Sequence, residues 1–257
     1  MLSFSFDIET IPDVDFGRRM FDLDGLSDED VATAMFFKQL QKSGSEFLPV
    51  HQQKIVAISV ALRSGSSFRV WSLGDIDADE GEIIRRFFDG IERYSPDLVS
   101  WNGAGFDLPV LHYRAMKNGV AAPRYWENGD NDREFRFNNY LSRFHSRHTD
   151  LMDVLSAYQP RARVSLDQAA TLLGFPGKLG MSGDKVWSTY LAGGIKDIRD
   201  YCETDVVNTW LVYLKYEHMR GNLDDSGLER ELELVRNTLA EMNEPHIDEF
   251  LAAWSGE

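Results

Sequence analysis

Hydrophobic and polar positions alternate at the start of the chain. Residues 2–8 place apolar side chains at every second position with small polar ones between them, and this pattern predicts a strand whose tip carries Asp7 and Glu9. Two further runs rich in β-branched and aromatic residues, 54–62 and 68–73, are separated by a short link of serine and glycine. That arrangement predicts an antiparallel hairpin after the first strand.

Apolar residues at helical spacing come next, on one face of residues 80–94. The Ser-Pro-Asp that follows ends this helix, and residues 98–101 predict a short buried strand, so the segment predicts a crossover connection. An Asn-Gly-Ala-Gly turn then leads into a predicted helix over 106–117, whose proline is tolerated in the first turn. Asp107 therefore falls at the start of that helix.

The rest of the sequence predicts mainly helices, so the fold class is α/β. Residues 13–50 predict an insertion near the site with one helical piece at 31–40, and residues 119–148 predict a polar loop region. Beyond residue 221 an apolar stripe predicts a helix that packs back on the domain. We therefore expect a main domain at 1–220 and a helical extension at 221–257, with further helices at 165–173, 183–191 and 195–217.

Composition narrows the classes of protein to which the chain can belong. With 257 residues, 43% of them hydrophobic, it can bury the core of a single domain. A formal net charge of -15 excludes nucleic-acid binding through bulk electrostatics, so such a partner must be gripped locally. Cys202 is the single cysteine, which excludes an internal disulfide and indicates a reducing compartment, the cytoplasm. Because no leader pattern and no long apolar window is present, we expect neither export nor contact with a membrane.

Four acidic residues in three short sequence words are the candidate chemistry. Asp7 and Glu9 are two residues apart on a predicted strand, so their side chains point to the same face. Asp107 lies at the start of a predicted helix. Tyr201 and Asp205 are four residues apart on another helix and therefore share one of its faces. Carboxylates are preferred ligands of hard divalent cations, and converging carboxylates can hold two ions about 3.5–4 Å apart, a pair that cleaves phosphodiesters. Taken singly, each word has an ordinary explanation as a solvated strand tip, a helix-start carboxylate or a surface pair. Their joint occurrence favours a metal site.

The three words also match a known family. FDIET, WNGAGFDLPVL and YCETD resemble the three exonuclease motifs of the DEDD superfamily of 3′-5′ exonucleases, in its tyrosine-bearing subgroup. The middle word resembles the proofreading exonuclease domain of family-B DNA polymerases. The loop PGKLGMSGDKV resembles stand-alone bacterial proteins predicted as exonucleases related to that domain. The resemblance runs from about residue 2 to residue 215.

The resemblance implies a ribonuclease-H-like fold, with a mixed central sheet flanked by helices, and it assigns roles by position. Asp7, Glu9 and Asp205 would hold the ion that carries the attacking water, and Asp7 would bridge to a second ion that Asp107 also contacts. Tyr201 would orient or deprotonate that water. The implied cofactor is two Mg²⁺ ions, with Mn²⁺ as a possible substitute. The implied products are nucleoside 5′-monophosphates.

Substrate contacts must come from other residues. Arginines interleaved with aromatic residues over 133–148 suit the phosphates and bases of a single strand, although an Arg-rich solvated loop with buried aromatics has the same pattern. Asn102 has two open interpretations, a contact to the terminal nucleotide or the holding of its own turn. Two lysines flank a glycine-rich loop that could close over the scissile phosphate. The candidate substrate-binding residues are Asn102, Phe106, Arg143, Arg147, Lys178 and Lys185.

These expectations lead to one hypothesis and two rivals. The leading hypothesis is a metal-dependent exonuclease acting on the 3′ ends of single-stranded DNA, without a polymerase, because the chain ends long before one could fit. The first rival keeps the chemistry and changes the substrate to RNA, since the sequence shows no visible reader of the 2′ hydroxyl. The second rival is a non-catalytic module that binds nucleic-acid ends, and the intact acids argue against it. The 3′-to-5′ direction rests on the resemblance alone.

Overall fold

The computed structural model describes residues 2–256, and within them it contains one five-stranded sheet and ten α-helices. Short 3-10 turns supplement them at Val50–Gln52, Arg133–Arg136, Pro160–Ala162 and Gly183–Lys185. The strands are β1 (Leu2–Pro12), β2 (Gln53–Ser64), β3 (Ser67–Ser72), β4 (Asp97–Ser100) and β5 (His148–Asp150). The helices are α1 (Val14–Phe21), α2 (Asp28–Ser43), α3 (Glu80–Tyr94), α4 (Asp107–Lys117), α5 (Leu151–Leu155), α6 (Leu166–Leu172), α7 (Val186–Leu191), α8 (Ile195–Met219), α9 (Asp225–Met242) and α10 (Pro245–Ser255).

The sheet is mixed, with the strand order β3-β2-β1-β4-β5. β1 pairs antiparallel with β2, β2 pairs antiparallel with β3, and β4 and β5 continue parallel to β1. Only β2 therefore runs against the others within the part of the chain that the structure describes. The α/β class, the mixed sheet and the antiparallel hairpin are confirmed, and the order agrees with the ribonuclease-H-like fold that the resemblance implies.

Both faces of the central strand β1 are buried. Its side chains point alternately to the two faces, so apolar residues pack on one face and small or polar residues lie on the other. Phe4, Phe6 and Ile8 point toward α3 and join one hydrophobic cluster there. The opposite face carries small residues, and the Ser5 hydroxyl donates a hydrogen bond to the Val206 carbonyl of α8 at 3.1 Å. Small side chains allow this helix to lie close to the strand, so the polar positions of β1 face α8 rather than solvent.

α8 is the main helix of that second face. It spans 25 residues and is buried around much of its circumference, which is typical of a helix packed on several sides. Val206, Trp210 and Leu214 are fully enclosed, and α9 and α10 cover α8 with Val235, Leu239, Ile247 and Phe250. The division into residues 1–220 and 221–257 stays a prediction.

The arginine cluster, formed by Arg114, Asp13, Glu80 and Lys117, attaches the start of the 13–50 segment to the domain. The Arg114 guanidinium is buried and donates hydrogen bonds to the carboxylates of Asp13 and Glu80, with 2.5 and 2.7 Å to the two Glu80 oxygens. Lys117 Nζ adds a contact of 2.7 Å to Asp13. Burial opposes ionisation of Asp13, but the hydrogen bonds from Lys117 and Arg114 outweigh it and lower the pKa of that carboxyl.

Several element predictions need correction. The prediction that Asp7 and Glu9 lie at a strand tip was wrong, because β2 stays paired opposite β1 as far as Pro12, with a register shift after Glu9. The three-residue strand β5 was missed inside a presumed loop-to-helix stretch, and α1 and α10 were also missed. The bounds of α3 were confirmed at Glu80–Tyr94. None of the helices within residues 2–256 combines the length and the apolar content needed to cross a membrane.

Candidate active site

The site begins on the α8 face of β1. Asp7 and Glu9 are two residues apart and therefore project to this same face, Asp7 partly exposed and Glu9 buried. The register shift between Glu9 and Thr10 ends the regular pairing just after the second acid. Bulges of this kind re-aim side chains next to functional sites. β1 therefore presents two carboxylates beneath one helix.

α8 supplies the next two groups from above. Tyr201 and Asp205 lie one helical turn apart on the face toward β1, and both are buried. Between them, the Cys202 thiol donates to the Asp7 carbonyl oxygen at 3.4 Å and lies 3.7 Å from Asp7 Oδ2. Oxygen atoms of Asp7 and Glu9 and the sulfur of Cys202 all fall within 4.8 Å of one another. The strand and the helix thus share one polar pocket.

The turn before α4 delivers the fourth acid. Asn102 adopts a left-handed conformation with φ 64°, and α4 begins at Asp107, which is 4% exposed. Asp150, at the end of β5, holds the turn: its two carboxylate oxygens accept hydrogen bonds from the Asn102 and Ala104 N–H groups at 3.0 and 2.9 Å. Because these bonds fix the turn, they also fix the direction in which Asp107 enters the site.

The four carboxylates of Asp7, Glu9, Asp107 and Asp205, called here the carboxylate site, are electrostatically strained. Burial raises the pKa of Asp7 and of Glu9 well above the usual value, and neighbouring acids of the site raise both further. Burial also raises the pKa of Asp107 to about 7 and that of Asp205 to about 6. Desolvation and like charges act in the same direction here, which is typical of functional carboxylates.

A lysine and a phenol complete the pocket. The Lys178 ammonium lies 5.4 Å from the centre of the Tyr201 ring, and its charge lowers the pKa of Asp7, Glu9 and Asp205, although burial outweighs it. Burial, followed by the negative charges of Asp205 and Glu9, raises the pKa of Tyr201. The Tyr201 hydroxyl therefore stays protonated at neutral pH and is available as a hydrogen-bond donor.

The loop that carries Lys178 is anchored on α8. The Asn208 side chain is fully buried, donates to the Gly177 carbonyl at 2.8 Å and accepts from the Gly177 N–H at 3.3 Å. Asp167 accepts from the Lys178 N–H at 2.8 Å. Gly177 has φ +68°, and a Cβ there would run into the Asp167 carboxylate, so the tight turn requires glycine. The anchor lies three residues after Asp205 on the same helix.

Divalent cations with oxygen ligands fit this site. Asp205 Oδ1 is buried and has no hydrogen-bond partner within residues 2–256, although buried carboxylate oxygens are normally satisfied. The carboxylates of the site offer the hard donors that Mg²⁺ and Mn²⁺ prefer, and those of Asp7 and Glu9 have oxygens within 4.8 Å of each other. Burial raises the pKa of Cys202 well above its usual value, so the thiol stays protonated and is a poor ligand beside the carboxylates.

The candidate substrate-binding residues fall into different surroundings. Phe106 caps α4 beside the carboxylate site, and Lys178 lies over Tyr201. Lys185 is exposed on the 3-10 turn before α7. Asn102 lies in the turn that Asp150 holds, with its side-chain oxygen against Gly105. This surrounding favours the interpretation that Asn102 holds its own turn.

The two candidate arginines of the 133–148 strip, Arg143 and Arg147, mainly contact the loop itself. The Arg147 guanidinium donates to the carbonyls of Asn138 and Ser95 at 2.7 and 3.3 Å and packs over the Phe135 ring at 4.0 Å. Arg143 is half-exposed, lies over Phe144 and Tyr158, and has Asp153 at 3.6 Å. At Arg147, these contacts support the alternative interpretation of the sequence, an Arg-rich loop with buried aromatic residues. The Arg143 side chain, in contrast, is exposed.

Sequence reasoning missed three positioning residues. Asp150, Asn208 and Asp167 each hold a segment that carries a site residue, through contacts 48, 31 and 11 positions apart in the chain. A carboxylate at the end of a buried strand was the available signal for Asp150, but the strand has only three residues. No pattern in the sequence marks Asn208, because it lies inside a helix that is buried on most sides.

Comparison with known proteins identifies the family of the chain. Residues 45–254 match the family described as "Predicted 3'-5' exonuclease related to the exonuclease domain of PolB". The match covers most of the chain and includes the residues of α4 and α8 that enter the site. The chain therefore belongs to this family of exonuclease domains, whose activity depends on divalent metal.

Similar proteins of known identity are archaeal DNA polymerases. The DNA polymerase of Pyrococcus glycovorans is 32% identical over 122 residues, which are 43% of this chain and 15% of the polymerase. DNA polymerase 1 of Sulfurisphaera ohwakuensis is 53% identical over 38 residues, 15% of this chain and 4% of that protein. The family B DNA polymerase of Pyrobaculum calidifontis aligns in structure over 83% of this chain and 25% of its own, with 18% identity and a TM-score of 0.49. The chain thus spans a small part of each of these proteins.

Proposed function

We propose that the protein is a divalent-metal-dependent 3′-5′ exonuclease of the tyrosine-bearing DEDD subgroup that hydrolyses single-stranded DNA. The proposal rests on Asp7 and Glu9, whose carboxylate oxygens lie within 4.8 Å of each other, and on Asp107 and Asp205, whose charges raise the pKa of Asp7. It is supported by Asp205 Oδ1, which is buried and has no hydrogen-bond partner among residues 2–256. Family membership supports the exonuclease activity. The released products would be nucleoside 5′-monophosphates.

The residues of the carboxylate site have distinct roles in this proposal. Asp7, Glu9 and Asp205 would hold one divalent ion, and Asp7 with Asp107 a second. Two bound Mg²⁺ ions, or Mn²⁺ in their place, supply Lewis-acid stabilisation of the attacking and leaving oxygens of an in-line displacement. Asp7 is suited to both positions because its pKa is affected by all three other acids.

Tyr201 and Lys178 act beside these acids. The protonated Tyr201 hydroxyl would donate a hydrogen bond that orients the reacting groups, since its raised pKa makes it a poor general base. Lys178, a cation held next to Tyr201, would attract the scissile phosphate into the site. Exposed Lys185 and Arg143 are proposed contacts to the DNA backbone farther from the chemistry. A single buried cysteine supports placement of the enzyme in the cytoplasm.

End-labelled oligonucleotides test the reaction and its direction. With Mg²⁺, a 3′-labelled single strand should release its label as a mononucleotide at once, whereas a 5′-labelled strand should shorten stepwise. EDTA should abolish both results. Release of the 5′ label first would contradict the proposed direction, and no metal-dependent release at all would favour a non-catalytic binding module.

Matched DNA and RNA strands test the substrate class. We expect a higher kcat/KM for the deoxyribose strand of the same sequence. Because the 2′ hydroxyl is the group that distinguishes the two polymers, chimeric strands with a single ribose at the last or the penultimate position should locate any discrimination. Faster digestion of RNA than of DNA would identify an exoribonuclease instead.

A further inference from the structure

An apolar groove of about 260 Å³ lies between α5, α6 and the second half of α8. Four of the large apolar side chains that line it are exposed to solvent: Leu172 at 85%, Met219 at 68%, Val164 at 46% and Leu155 at 44%. Exposed apolar side chains that are grouped in this way are typical of a binding surface. The groove is therefore a candidate interaction surface of the protein.

The groove lies away from the carboxylate site along α8. The part of α8 that lines it, from Val212 to Met219, is about two to four helical turns beyond Asp205. At a rise of 1.5 Å per residue, this separation is about 10–20 Å along the helix axis. A partner can therefore occupy the groove while the carboxylate site holds a substrate.

The lining of the groove favours aliphatic side chains over nucleic-acid bases. Trp101 and Tyr216 are its aromatic residues within the part of the chain that the structure describes, and the Arg220 guanidinium already covers Tyr216, at 5.1 Å from the ring centre. Stacking of bases needs free aromatic faces. The volume is also below the range of about 300–1,000 Å³ that is typical of small-molecule sites. The groove therefore suits a few aliphatic side chains of a larger partner.

The rim of the groove is basic, although the chain as a whole has a formal net charge of -15. Lys215 lines the groove, and the exposed residues Arg161 and Arg163 flank the lining residue Ala162. No aspartate or glutamate lines it among residues 2–256. Arg163 is paired with Asp153 at 2.6 Å, whereas Lys215 and Arg161 have no ion-pair partner in the described chain. These free cations favour a partner that carries negative charge.

We propose that this groove binds an acidic amphipathic helix of a partner protein. An amphipathic helix lays its apolar face into a groove of this kind through residues at positions i, i+3, i+4 and i+7. Leu172 and Met219 contact that apolar face, and Lys215 and Arg161 contact the acidic flanks of the helix. The docking requires no nucleic acid at the carboxylates and is independent of the proposed function.

A displayed library of random peptides of about 16 residues, long enough for four helical turns, tests the proposal when it is selected on the wild-type protein. Enriched peptides should carry acidic residues beside apolar ones at helical spacing. Their affinity, measured by fluorescence polarisation, should fall about tenfold or more for Leu172→Asp and Lys215→Glu, because each change places a negative charge against the acidic helix. The matched control is Met116→Asp, at a 71% exposed position of α4, and it should change the affinity less than about twofold.

Three results of the selection would overturn the inference: enriched peptides that are basic, enriched peptides that bind Leu172→Asp as tightly as wild type, and no enriched peptide at all. A labelled single-stranded oligonucleotide in EDTA should bind wild type and Leu172→Asp equally. Weaker binding of this oligonucleotide by Leu172→Asp would assign the groove to nucleic acid and also overturn the inference. Nucleotide release by Leu172→Asp should equal that of wild type, and a wild-type protein without any release would contradict the proposed function alone.

Discussion

The protein has two buried clusters of charged residues, and the pKa values of their carboxyl groups are shifted in opposite directions. In the arginine cluster, a buried guanidinium bonds to both Asp13 and Glu80, and the pKa of Asp13 is lowered. In the carboxylate site, the pKa values of all four acids are raised, although one nearby lysine lowers those of Asp7, Glu9 and Asp205. Asp205 Oδ1 has no hydrogen-bond partner among residues 2–256. Paired charges of the first kind specify structure, whereas unpaired ones of the second kind destabilise the fold unless a cation binds.

Removing the arginine should cause the largest loss of stability. Arg114→Met leaves Asp13 and Glu80 buried without their guanidinium, and it should lower the free energy of unfolding by about 3–5 kcal/mol. Urea denaturation measures this change. The matched control is Arg86→Met, which breaks a surface pair with Glu82 and should cost about 0.5 kcal/mol or less. Equal effects of the two variants would mean that burial of the cluster contributes nothing.

Removing one acid of the carboxylate site should affect activity instead of stability. Asp205→Asn should lower kcat/KM about 10²–10³-fold, because a charged ligand at the reacting centre is lost. In EDTA its free energy of unfolding should equal or exceed that of wild type, since one uncompensated negative charge is gone. Asp197→Asn, an exposed acid in the first turn of the same helix, should leave kcat/KM unchanged. An Asp205→Asn variant that is less stable than wild type but retains its activity would contradict the contrast between the two clusters.

The two clusters should also respond to pH in opposite directions. A carboxyl with a lowered folded pKa, such as Asp13, stabilises the fold above its unfolded pKa of about 3.9, and this contribution is lost as the pH falls. Asp205 and Asp107, with folded pKa values of about 6 and about 7, bind protons more tightly in the folded state, so their contribution is lost as the pH rises through those values.

Denaturation in EDTA from pH 4.5 to 8 measures the second effect. The part of the decline in stability between about pH 4.5 and pH 6.5 that comes from Asp205, whose folded pKa is about 6, should be absent in Asp205→Asn and present in Asp197→Asn. Saturating Mg²⁺ should reduce the decline in wild type, because a cation favours the ionised carboxylates. The same slope in wild type and Asp205→Asn would show that this carboxyl is not perturbed.

The smallest effect should come from the loop anchor. Asn208→Ala removes both hydrogen bonds to Gly177, so Lys178 is held less firmly over Tyr201. We expect kcat/KM to fall about tenfold, in line with about 1–3 kcal/mol for leaving buried backbone groups unsatisfied. Asn208→Asp, which keeps an acceptor but loses the donor, should lie between Ala and wild type. Unchanged kcat/KM in both variants would show that loop position does not limit catalysis.

The sequence predicted strands and helices well where the hydrophobic repeat extends over many residues. The helix at residues 80–94 was predicted with its observed bounds, since five apolar residues repeat on one face, and the pairing of β2 with β3 was confirmed. The strand β5 has three residues, too few to show alternation, and α1 has only eight residues, among them three charged ones and a glycine. Local propensity could not identify these elements, because tertiary contacts stabilise them.

Part of the candidate site was also predictable, because regular spacing in the sequence shows which residues of a strand or helix share a face. Alternation on β1 and the four-residue spacing on α8 indicated which acids share a face, and the structure brings these faces together. The supports could not be predicted: Asp150 and Asn208 act on segments 48 and 31 residues away, and sequence spacing carries no information on such contacts. Likewise, nothing in the sequence indicated that Arg147 binds the carbonyls of Asn138 and Ser95.

The most direct test of the central claim is an anomalous difference map from a crystal grown with Mn²⁺. We expect manganese among the carboxylates of Asp7, Glu9 and Asp205, with a second peak between Asp7 and Asp107. The same crystal of Asp205→Asn should show the first peak weakened or absent. Carboxylates turned away from one another in wild type, with manganese bound elsewhere or nowhere, would contradict the claim that these four acids form a cation site.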